Sequence, residues 1–145
     1  MDKINTPPEL TDRDRSVTMV GILTAMLLAA LDQSIVTPAM PTIGGQLGDP
    51  QYLPWIVTAY LLTATAVAPL YGKISDIYGR RSTLYGALGL FLVGSVIAAL
   101  SPNLFTLIGA RAVQGIGGGG LFALSQIVIG DMLPPRERGR YSAWI

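Results

Sequence analysis

Asp32 and Arg111 have the most chemistry to offer, because each interrupts a long apolar stretch. An ionised side chain at the centre of a membrane helix costs at least about 2.5–3.5 kcal/mol, so such groups face a wet cavity or a partner and mark a pathway. A carboxylate in that setting can take up and release a proton, since desolvation favours its neutral form and a neighbouring guanidinium its charged form. Arg stays charged throughout. These properties predict that Asp32 binds a coupling proton and that Arg111 and Gln114 bias its affinity between conformations. Gln33, Ser34 and Thr37 are expected to add polar surface to the same cavity. A structural ion pair that only specifies helix packing is the other reading. The chain has no Cys and no His, which excludes disulfides, the usual zinc ligands, thiol nucleophiles and imidazole shuttles within it. One Asp and one Arg on different helices make no hydrolase site, so neither enzymatic activity nor a cofactor or metal is expected.

The elements that must position these residues are helices in lipid. Of 145 residues, 50% are hydrophobic and 13% charged, with mean hydropathy +0.49, whereas an ordinary soluble domain carries about 25% charged residues. A net charge of +1 and small, separate basic groups offer no basic stripe for nucleic acid. Runs of about 17–25 apolar residues span a bilayer core, and four are present, at about 17–43, 55–71, 82–100 and 104–132. The period-2 alternation of a barrel is absent, which leaves helices as the way to satisfy the backbone. Pro54 suits the start of the second run, Asn103 can cap the fourth, and Pro134-Pro135 stops it. Pro38 and Pro41 are expected to bend the first helix, and Gly44, Gly45 and Gly48 to loosen the loop after it. Residues 1–16 mix both charge signs with Pro7 and Pro8, lack a signal-peptide pattern, and read as a disordered cytoplasmic tail. Residues 17–145 then form an all-α membrane domain of four helices, with a fifth beginning at Gly139–Ile145.

Charge placement gives the direction. Lys3, Arg13 and Arg15 precede the first run, Lys73, Arg80 and Arg81 join the second to the third, and Arg136, Arg138 and Arg140 follow the fourth. Nine of the ten basic residues therefore lie on one face; cytoplasmic loops retain positive charge, so the N-terminus is expected inside. Asp32 then sits roughly 22 Å from the cytoplasmic start of its helix, and Arg111 about 10 Å from the outer start of the fourth. In a core about 30 Å thick the two stand at similar depth, where they could face one another.

The run Gly115-Ile116-Gly117-Gly118-Gly119-Gly120 matches GxGxxG in form. That fingerprint requires a preceding strand and a βαβ unit, and this run lies inside a lipid-length apolar segment. In membranes small residues let backbones approach closely. Gly115, Gly117, Gly118, Gly119 and Gly120 therefore read as a helix-packing surface, either simply close-packed or also flexible beside the cavity.

The short link from Gly72 to Leu84, GKISDIYGRRSTL, resembles the GxLaDrxGRkxxL signature of the major facilitator superfamily, with Gly72, Asp76, Gly79, Arg80, Arg81 and Leu84 in register. Leu31 to Pro41 resembles the first-helix LDxTIVNVALP motif of its drug/proton antiporters, especially the fourteen-helix branch, departing at Thr37 and Pro38. Arg111 to Gly118 resembles the fourth-helix RxxQGxGga motif associated with proton coupling. The resemblance implies a central cavity lined by the first and fourth helices and an uncharged third helix facing lipid. It also implies a gate cluster of Asp76, Arg80 and Asp131, set on Gly72, Gly79 and Arg81, that latches one conformation. As an alternative, Asp131 is simply hydrated at the interface.

The resemblance further implies proton-driven efflux of drugs or other amphipathic small molecules by alternating access, powered by the proton gradient without a cofactor. The expected partners are the bilayer of a cell membrane, protons, a small amphipathic substrate and the remaining helices of a longer transporter. The rival readings are another solute carried by the same superfamily, such as a sugar, metabolite or siderophore, and a membrane scaffold that transports nothing.

Overall fold

The computed structural model describes residues 12–132, without the side chains of Asp12, Asp14, Arg15 and Met132. The described chain is helical: α1 (Asp12–Leu47), a 3₁₀ turn (Pro50–Tyr52), α2 (Pro54–Tyr78), α3 (Arg80–Ala99) and α4 (Leu104–Met132). All four long helices are long and apolar enough to cross a membrane. Residues 1–11, Pro134-Pro135, the last three arginines and the fifth-helix stretch from Gly139 lie outside the described residues.

The helices outrun the apolar segments that predict them, because the hydrogen-bond ladder continues until a residue breaks it. α1 begins at Asp12 and runs to Leu47. It thus takes in the end of the stretch read as a disordered tail, and Gly44 and Gly45, read as loop. Leu53 explains the second extension: its side chain packs on Gly44, where a Cβ would meet Leu53 Cδ1 at 2.7 Å. Around it Ile43, Leu47, Tyr52 and Leu53 pack on a buried core of Ile56, Leu104 and Leu107. This apolar plug holds the far end of α1 to α2 and α4.

α2 likewise absorbs Gly72–Tyr78, expected to be loop. Gly79 is the single joint between α2 and α3, with φ 87° and ψ 149°, a conformation available essentially to glycine alone. The Thr83 amide and hydroxyl both donate to the Gly79 carbonyl, at 3.2 and 2.8 Å, and so start α3. Asn103 Oδ1 accepts from the Thr106 amide at 2.8 Å, capping α4 as its sequence suggests.

α4 is the most buried of the spans, and its glycines account for that. A Cβ on Gly115 or Gly119 would meet the α2 backbone at Tyr60 or Ala64, and one on Gly117 would meet α3 at Ala87 and Phe91. Gly118 and Gly120 seat the rings of Tyr60 and Tyr71. From α3, Gly94 returns the fit against the Gln114 backbone at 2.7 Å. α3 buries Thr83, Ala87, Phe91 and Gly94, three to four residues apart, and exposes Leu92, Val93 and Val96. A one-sided apolar helix of this kind suits a lipid boundary.

Candidate functional site

Arg111 and Gln114 lie one turn apart on α4 and are 1% and 0% exposed. Three or four residues along a helix share a face, so both side chains point the same way, toward α1. There Asp32 and Gln33 reach the guanidinium. Arg111 Nη1 donates to Asp32 Oδ2 at 2.5 Å and to Gln114 Oε1 at 2.7 Å, while Nη2 donates to Gln33 Oε1 at 2.7 Å. Gln114 Nε2 closes the ring by donating to Asp32 Oδ1 at 2.9 Å. Both carboxylate oxygens are thus held by α4. The Tyr60 ring of α2 covers the guanidinium, 4.7 Å from its centroid to Cζ, a favourable cation–π contact. Arg111 Nε is buried with no acceptor among the described residues.

Ser34 and Thr37 are not drawn in. Both are exposed, and their hydroxyls donate to their own helix, at Ala30 and Gln33 carbonyls, 2.8 and 3.4 Å away. Thr37 shares a face with Gln33 one turn away, yet like Ser34 it spends its hydroxyl on the carbonyl four residues back.

Below the cluster, toward the Gly79 end of the bundle, α1, α2 and α4 enclose an open groove of about 810 Å³. Its walls include Leu23, Leu27, Ala64, Pro69, Leu121 and Phe122. Gln33 and Tyr60 stand at its head, so they line the groove and touch Arg111 at once. Sequence reasoning missed Tyr60. Depth would have found it: Tyr60 is six residues past Pro54 and Arg111 seven past Leu104, about 9 and 10 Å along helices that start on the same side. Thr63, also missed, ties α2 to α4 by donating to the Ala112 carbonyl at 2.8 Å.

A second cluster gathers at the Gly79 end. Arg80 Nε lies 2.7 Å from Asp131 Oδ2, and Arg80 Nη2 lies 3.8 Å from Asp76 Oδ1. One guanidinium at the start of α3 thus bridges the ends of α2 and α4. Asp131 sits at the C-terminal end of α4, where a negative charge opposes the helix dipole, and Arg80 supplies the cation that offsets it. Arg81 instead turns to Tyr85, donating from Nε to the hydroxyl at 3.4 Å.

Residues 22–145 match the model of the Major Facilitator Superfamily. The chain belongs to the major facilitator superfamily. Similar curated members of this superfamily include the efflux pump dotC of Dothistroma septosporum, 42% identical over 90% of this chain, and the efflux pump FUS6 of Gibberella moniliformis, 45% identical over 87%. The multidrug transporter protein MdtP of Bacillus subtilis is 39% identical over 88%. The chain spans 22–24% of the length of these superfamily relatives. The superfamily consists of membrane transporters rather than enzymes, in keeping with four membrane-length helices.

Proposed function

We propose that this chain forms part of a proton-coupled exporter of amphipathic small molecules that works by alternating access. The observation that carries the reading is the hydrogen-bonded ring of Asp32, Arg111, Gln114 and Gln33 at the head of an apolar groove. Asp32 is the proton carrier; Arg111 and Gln114 hold its ionised form, and a conformation that separates α1 from α4 would leave a carboxyl better neutralised by a proton. The relatives named as efflux pumps and a multidrug transporter favour export. The groove favours amphipaths over sugars, because recognising a sugar requires a wall of donors and acceptors where this one is chiefly aliphatic. The N-terminus is cytoplasmic in this reading, since Lys73, Arg80 and Arg81 gather at one end of the bundle. There the Arg80 cluster acts as a latch that holds one conformation. The test is transport by the whole protein, with any sequence that follows Ile145, in proteoliposomes under an imposed pH gradient. Asp32→Asn should insert normally and lose gradient-driven transport; gradient-driven transport at the wild-type rate would refute the assignment.

A further inference from the structure

Two residues belong both to the groove and to the charged ring, and they touch Arg111 by different means. Gln33 gives its Oε1 to Arg111 Nη2, and Tyr60 lays its ring against the guanidinium. Gln33 Nε2 donates to none of the described residues, so the amide offers its two N–H donors at the head of the groove. No charged side chain lines the groove among the described residues. A cation there would find no counter-ion of its own, because the nearby Asp32 carboxylate is already paired with Arg111.

We propose that the groove takes an uncharged amphipath bearing a hydrogen-bond acceptor, and that Gln33 and Tyr60 form the wall through which this ligand acts on the Arg111–Asp32 pair. The proposal rests on the proton-coupled reading above. The ligand's acceptor receives a Gln33 Nε2 proton in a hydrogen bond; an amide engaged at its nitrogen becomes a stronger acceptor at its oxygen. Gln33 then holds Arg111 Nη2 more firmly, and the ligand's apolar body fixes the Tyr60 ring over the guanidinium. Both effects keep Arg111 opposite Asp32 and favour the carboxylate. A protonated Asp32 therefore gives its proton to water as the ligand binds. By linkage, the ligand binds more tightly where Asp32 is ionised, that is, at higher pH. Among the described residues Arg111 from α4 and Tyr60 from α2 are the charged and titratable groups facing Asp32. Gln33 and Tyr60 are positioning residues for the proton site, since they act on Asp32 through Arg111.

The experiment measures binding of Nile red, an uncharged amphipath with a ring carbonyl, to the purified whole protein by fluorescence anisotropy at acid and alkaline pH. The wild type should bind about tenfold more tightly at alkaline pH, a typical coupling between two sites. Gln33→Met, which keeps length and lacks the amide, should flatten that dependence. Tyr60→Leu should flatten it too, and Tyr60→Phe, which keeps the ring, should restore it. Gln33 lies on the partly exposed face of α1, so its variant reads the wall even where loss of the Tyr60 ring disturbs folding. A wild-type dependence that persists in Gln33→Met and Tyr60→Leu overturns this proposal and leaves the proton-coupled reading standing. Absence of pH dependence in the wild type overturns both, and absence of saturable Nile red binding overturns the ligand class.

Discussion

At the scale of residues, burial gives Arg111 its weight. With 1% exposure it has exchanged water for two glutamines, one carboxylate and one aromatic face. Removing one partner of a buried charge pair costs about 3–5 kcal/mol, because the survivor is left uncompensated. Arg111→Lys keeps the charge but loses the planar fork that serves Asp32, Gln114 and Gln33 together. It is expected to lower transport by at least about tenfold, one lost charge-assisted hydrogen bond being worth about 1.5–3 kcal/mol, in protein that still reaches the membrane. Near-normal transport by that variant would show that charge alone suffices. The Asp32–Arg111 pairing was legible in the sequence, because two charges at matching depth in lipid have few alternatives to each other. Tyr60 was legible only in its depth, level with Arg111, since an aromatic in an apolar run carries no mark of what its face covers, and Ser34 and Thr37 looked polar without disclosing that their hydroxyls return to α1.

At the scale of helices, packing is set by glycine. Gly119 touches the Ala64 backbone of α2, whereas Gly109 of the same helix has open space where a Cβ would stand. Gly119→Val is therefore expected to cost about 1–3 kcal/mol by overpacking, and Gly109→Ala to stay within about 0.5 kcal/mol of the parent. Thermal unfolding in detergent, followed by circular dichroism, separates the two. Gly79→Ala should cost about 1–3 kcal/mol in the same assay, through strain at positive φ rather than through contact. The existence and order of the four helices followed from the length of the apolar runs, since lipid leaves the backbone no other solution. Their ends did not. Hydropathy marks where hydrocarbon stops and says little of where hydrogen bonding stops, so the last turns of α1 and α2 were read as loop.

At the scale of the whole molecule, two charged clusters at different heights divide the proposed work. Arg111 and Asp32 are 1% and 20% exposed, whereas Arg80, Asp131 and Asp76 are 36%, 53% and 71% exposed. Half-exposed pairs contribute about 0–1 kcal/mol to stability. A latch made of them is easily opened, as a transport cycle requires. In a double-mutant cycle on transport rate, Arg80→Ala, Asp131→Ala and the double variant should show equal losses; independent, multiplying losses would dismiss the latch. Orientation is checked by labelling single cysteines, a route eased by the absence of native Cys. Lys73→Cys should react with a membrane-impermeant maleimide from the cytoplasmic side and Gly48→Cys from the outer side.

The central claim is that Asp32 carries the proton, and infrared difference spectroscopy of the whole protein in lipid reads that group itself. The acid-minus-alkaline spectrum is predicted to contain the carbonyl band of a protonated carboxyl in apolar surroundings, lost in Asp32→Asn and kept in Asp131→Asn. A band that survives unchanged in Asp32→Asn would place the proton elsewhere.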